Sequence, residues 1–247
     1  MNAEVISVIT LVLLIAAVVA GMRFSEESFG KSTRDTVKLA TGLVATMSAL
    51  VLGLLVSSAK ASYDTVRNEV IDMSAKAVFL DRVLAEYGPE AASARARLRD
   101  VIEENIDRMW PRKSKRSADL SLNTAAGNAV YLAIQGLAPK DEAQRNLKAE
   151  AMNGIVDLGK IRTLLVTQSV PSVSKLMLAV VISWLMIIFF SFSMLAPTNA
   201  PAITALVVSA LSVCGAIFLI LELDSPFGGL IGLSSQPMRN ALQQMVK

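Results

Sequence analysis

The sequence predicts an all-α membrane protein with four transmembrane helices in two pairs, and a soluble helical domain inserted between the second helix and the third. Three observations lead there. Four runs without a charged residue occupy 5–22, 39–57, 176–195 and 202–221. At about 1.5 Å of rise per residue, each run matches the roughly 30 Å hydrocarbon core of a bilayer. Charged residues gather instead in the middle of the chain. Mean hydropathy is +0.51, yet only 5% of the residues are aromatic. The apolar mass is therefore Ala, Val, Leu, Ile and Met, which suits lipid-facing and helix-packing surfaces better than a sheet core.

The first run follows Met-Asn-Ala-Glu, with an acid at Glu4 and no Lys or Arg before it. That lacks the basic lead of a secretory signal, so the run is expected to be a retained helix. A short loop, 23–38, leads into the second run. Beyond it, Val66, Val70, Met73, Ala77, Leu80, Leu84 and Tyr87 alternate at spacings of four and three, the stripe of an amphipathic helix. Asp72 with Lys76 and Arg82 with Glu86 supply (i, i+4) charge pairs on its polar side. Gly88-Pro89 ends that helix, and a second is expected over 90–110, stopped by Pro111. The basic linker 112–116 reads as a solvated turn near anionic lipid or as a lipid site.

A third insert helix is expected over 120–137. A fourth follows Pro139, with Leu147, Ala151, Gly154, Leu158, Ile161 and Leu165 as its stripe. These stripes need partners, either within the insert or on neighbouring subunits. Ala-Pro-Thr-Asn-Ala-Pro, 196–201, makes the tight link between the last two runs. After them, three glycines in 225–233 predict a bent segment, and Met238, Leu242 and Met245 a short amphipathic helix. The expected divisions are 1–58 for the first transmembrane pair, 59–174 for the helical insert, 175–223 for the second pair and 224–247 for the tail.

Composition removes several functions. There is no His, and Cys214 is the single cysteine, so no thiolate or imidazole metal centre and no intramolecular disulfide is expected. Nucleophile, P-loop and dinucleotide signatures are missing, so neither an enzyme nor a cofactor is expected. A net charge of +3 is too small to point to nucleic acid. For orientation, Lys60, Arg67, Lys76, Lys160, Arg162, Lys175, Arg239 and Lys247 flank the membrane on the side of the insert and termini. Arg23, Lys31, Arg34 and Lys38 lie on the other side. Eight against four places both termini and the insert in the cytoplasm.

Two segments carry a resemblance. LDRVLAEYGPEAASARARLRDVIEENIDRMWP occupies 80–111; APTNA at 196–200 is followed by ELDSPFGGLIGLSSQPMRNAL at 222–242. Together with the helix layout they resemble the bacterial membrane family labelled bestrophin-like, whose function is unknown, over nearly the whole chain. The label implies a more distant similarity to bestrophins, pentameric ion channels with a pore lined by the second transmembrane helix. The run 39–57 has none of the aromatic residues that ring the bestrophin neck. The resemblance implies a multi-pass protein of the bacterial inner membrane, forming a homo-oligomer, pentameric by analogy, that passes inorganic ions.

From the start of the second run, Lys38, Thr41, Gly42, Ala45, Ser48, Ala49 and Leu52 fall along one face, with Gly53 beside it. Such a small, weakly polar stripe either lines a pore or packs tightly on another helix. Arg34 and Lys38 at its start are candidates to concentrate anions at a pore mouth, or to snorkel toward headgroups. Glu222 and Asp224, where the fourth run ends, form either an acidic ring or a plain interfacial boundary. Two functions remain open: an ion channel, or a non-conducting scaffold whose insert helices bind a partner.

Overall fold

The computed structural model describes residues 3–24, 30–111, 124–168, 173–197 and 199–245. Among them it is helical throughout and has no strand. The helices are α1 (Ala3–Arg23), α2 (Lys31–Tyr87), α3 (Ala92–Met109), α4 (Thr124–Gln135), α5 (Glu142–Gln168), α6 (Lys175–Leu195), α7 (Ala200–Leu223) and α8 (Gln236–Met245). Four of them, α1, α2, α6 and α7, are long and apolar enough to span a bilayer. The basic linker 112–116 lies outside the described residues.

Helix boundaries follow local chemistry. Asn199 caps α7 by accepting a hydrogen bond from the Ala202 amide at 3.0 Å, and Pro201 sits in the first turn, where no amide hydrogen is needed. Asp141 caps α5 through the Gln144 amide at 2.7 Å. At the end of α2, Gly88 takes φ 122, and a single 3₁₀ turn, Pro89–Ala91, carries the chain into α3. The loop expected over 23–38 is shorter than that, because α2 begins at Lys31. Its first turns are charged and hydroxylic, so they carry no apolar run, yet nothing in them breaks a helix.

The chain divides into two compact units, Met1–Ser62 with Pro171–Ser225, and Tyr63–Val170 with Pro226–Lys247. In the first, α1 packs along both α6 and α7, while those two, though consecutive, touch each other little. Leu14, Val181, Ile217 and Ile220 form its centre, joined by Leu55 and Ala59 of α2. Gly21 permits the closest approach. A Cβ there would collide with Ser193 Oγ and lie 2.5 Å from the Phe190 carbonyl oxygen. Small residues bring membrane helices together because apolar burial alone gives them no advantage over lipid. Gly21→Val is therefore expected to destabilise the unit by about 1–3 kcal/mol, read as a lower melting temperature in detergent.

In the second unit the expected stripes meet one another. Val66, Val70, Met73, Ala77, Leu80, Leu84 and Tyr87 of α2 are all buried, against Ala94, Leu98, Ile102 and Ile106 of α3 and Ala151, Leu158, Ile161 and Leu165 of α5. Gly154 is the contact point with α2, where a Cβ would stand 3.3 Å from Leu80. The tail docks here as well. The Trp110 indole donates to the Leu233 carbonyl at 2.7 Å, and its ring meets Phe227 edge-on at 5.6 Å. The Leu233 amide closes the glycine-rich turn onto the Pro226 carbonyl at 2.7 Å, with Gly229 at φ 83. Met238, Ala241 and Met245 of α8 are buried.

A buried carboxylate joins α2 to α3 beside this core. Asp81 is 5% exposed and accepts two bonds from the Arg95 guanidinium, at 3.0 and 2.8 Å, with Arg99 at 3.6 Å. The paired carboxylate holds the Arg95 guanidinium more firmly protonated than usual. Removing one partner of a buried pair strands the other. Arg95 and Arg99 keep 26% and 30% of their side chains exposed and can partly rehydrate. Asp81→Ala is thus expected to cost about 2 kcal/mol, below the roughly 3–5 kcal/mol of a fully buried pair, measured by urea unfolding of the full chain.

Candidate functional site

The candidate site is the apolar part of α2, and its three faces are distinct. Thr41, Ser48, Leu55 and Ala59 are buried, with Val37, Val44, Ala45, Val51 and Leu52 half-buried on the same side. Their spacings of three, four and seven mark a single face, and Leu55 and Ala59 belong to the core of the first unit. A second face carries Leu39, Leu43, Met47, Leu50 and Leu54, all exposed by half or more. A third holds Lys38, Gly42, Thr46, Ala49, Gly53 and Ser57, also exposed. A Cβ added at Gly42 or Gly53 would meet nothing within 4 Å.

The sequence-predicted set is thus divided by the chain's own packing. Thr41 and Ser48 are 3% and 2% exposed, Ala45 and Leu52 are half-buried, and Ala49 stands on the open small-residue face. One hydroxyl on each face is satisfied within the helix. Ser48 Oγ donates to the Val44 carbonyl and Thr46 Oγ1 to that of Gly42, each at 2.8 Å. Such bonding to the preceding turn lets a hydroxyl sit in an apolar setting without a partner helix. Of the open face, the sequence grouping includes Gly42 and Ala49, sets Gly53 beside them and misses Thr46. The signal of Gly42, Thr46, Ala49 and Gly53 is smallness at four-, three- and four-residue spacing, which the buried face shares.

At the start of α2, Arg34 is half-buried and Lys38 exposed. Glu222 and Asp224 are 3% and 7% exposed, inside the first unit. Asp224 Oδ1 accepts from the Val173 amide at 3.2 Å, and its own amide donates to the Ile220 carbonyl at 3.1 Å. That carboxylate ties the chain just before α6 to the end of α7. Cys214 is buried in α7 among apolar neighbours. Among the described residues no group of three His, Cys, Asp or Glu is placed to hold a metal ion.

Position, more than composition, separates the buried face from the open one. Ser48→Leu, forced into the packed face, is expected to destabilise the protein by about 1–3 kcal/mol, while Ala49→Leu on the open face should stay within about 0.5 kcal/mol. Paired thermal melts in the same detergent check the difference.

The chain matches the family model described as Bestrophin-like domain over residues 8–238. No curated protein and no solved structure matches it.

Proposed function

We propose that this chain, which belongs to the bestrophin-like family, is one subunit of a homo-oligomeric ion channel whose conduction path is lined by α2. The observation that carries this reading is the third face of α2. Its exposed leucine face is accounted for by lipid, but lipid gains little from a face of Gly42, Thr46, Ala49, Gly53 and Ser57. Such a face suits close approach between copies or a narrow, weakly polar path in which an ion keeps part of its water. Lys38, exposed at the head of the same face, adds a cation ring to the mouth once copies assemble.

Five copies is the number the resemblance to bestrophins implies. The proposed topology is two plus two, with the insert 59–174 and both termini in the cytoplasm of a bacterial inner membrane, as the excess of Lys and Arg on that side supports. The proposed activity is passive conduction of inorganic ions, without catalysis or cofactor. A scaffold role finds less support, because the insert stripes that would recruit a partner are buried against one another.

The test is ion flux from liposomes holding the purified protein. Ala49→Trp should cut flux at least about tenfold with oligomer size unchanged, since a ring of indoles would narrow the path, while Leu43→Trp on the lipid face should leave it within about twofold. An intact oligomer that passes no ions across several salts, or one in which both variants behave alike, overturns the proposal.

A further inference from the structure

The second unit contains a cavity of about 810 Å³ that the channel reading does not use. Its floor is Met73, Leu98, Ile102 and Leu158, buried side chains of α2, α3 and α5. The amides of Asn105 and Asn128 and the phenol Tyr131 stand along the α3 and α4 walls. The α5 wall ends in Lys160, Arg162 and Thr163. Volume and lining have the proportions of a small-molecule site, mostly apolar with a few polar groups converging on it.

Two details set it apart from a packing defect. Each of two walls carries a helical glycine, Gly127 in α4 and Gly159 in α5, and a Cβ on either would meet nothing within 4 Å. Glycine weakens a helix, and here no neighbouring chain atom demands it, in contrast to Gly154, which is pressed by Leu80. What these two glycines preserve is the width of the cavity. The charge is also one-sided. Lys160 and Arg162 line it, and no acidic residue does among those described. The Lys160 ammonium is shared with Asp157 at 3.0 Å on the outer side, an exposed pair that constrains it weakly.

We propose that this cavity binds a single-chain anionic amphiphile, a long-chain carboxylate whose tail lies on the Leu98–Ile102–Leu158 floor and whose head meets Arg162 and Lys160. An apolar tail fits walls that offer water few partners. A carboxylate is the head that a guanidinium engages with two parallel bonds. A helix of a second copy is the competing occupant; it would bring side chains but no reason for a cationic rim.

The experiment uses the full chain in phosphatidylcholine nanodiscs with a diazirine-bearing palmitate, and cross-linked peptides mapped by mass spectrometry. Label is expected on α3, α4 and α5, displaced by free palmitate. Each methylene removed from the competitor should weaken it about fourfold. Palmitate methyl ester should compete at least about tenfold less well than the acid, and Arg162→Gln with Lys160→Gln should erase that preference. Gly159→Leu, and independently Gly127→Leu, should reduce cavity label at least about tenfold without lowering the melting temperature, because leucine favours helix more than glycine does. Label on α1, α6 and α7, which reports bulk lipid, should stay constant in every variant. Label confined to those helices, cavity label indifferent to both glycine variants, or acid and ester competing equally would each overturn the proposal. So would cavity residues shielded by a second copy.

Discussion

A backbone immersed in hydrocarbon has no water to bond, so each apolar run must satisfy its own amides and carbonyls, and only an unbroken helix does this within one segment. The placement of proline obeys that constraint throughout. Of the eight prolines, the seven within the described residues lie at helix starts or between helices, and none interrupts an apolar run. Serine and threonine inside the runs comply in another way, turning their hydroxyls back onto the preceding turn, as Thr10, Ser48, Thr46 and Ser212 do.

With the backbone satisfied internally, association between the helices depends on surface relief. Gly21 against Ser193 brings α1 onto α6, and the burial of Thr41, Ser48, Leu55 and Ala59 fixes which side of α2 faces its own chain. The remaining two sides of α2 then differ in kind, one bulky and one small. That difference underlies the functional reading, since an aliphatic bilayer distinguishes only weakly between leucine faces but offers nothing to a glycine-lined one. The second unit uses the opposite means. Its stripes fill a continuous apolar core, and Asp81 with Arg95 and Arg99 bridges α2 and α3 beside that core.

Much of this was legible in the sequence because period and punctuation are local properties. The four runs, the α2 stripe from Val66 to Tyr87, the α5 stripe and the buried methionines of α8 all follow from spacing alone. The start of α2 at Lys31 was not legible, since its polar first turns give no apolar signal. Nor was the division of Thr41 and Ser48 from Ala49. Small residues lie all round the helix, and a periodicity argument finds faces without saying which one meets the bundle. Asp81 with Arg95 joins residues across a turn, so no (i, i+4) rule finds it; one pair that the rule does offer, Asp72 with Lys76, is looser at 3.8 Å and exposed.

The order of segments in the first unit bears on how the protein is made. The surface of α1 around Gly21 is shaped for α6, yet all of the second unit except its tail is synthesised between Arg23 and Lys175. During that interval this surface of α1 has no α6 to meet, while α2, α3 and α5 of the second unit already have one another to pack against. Completion of the membrane unit waits for α6 and α7, and the Trp110 indole waits longer still for Leu233. Synthesis runs from the N-terminus, but the packing of the two units closes in a different order, with the helices of the second unit able to pack before the first unit is whole.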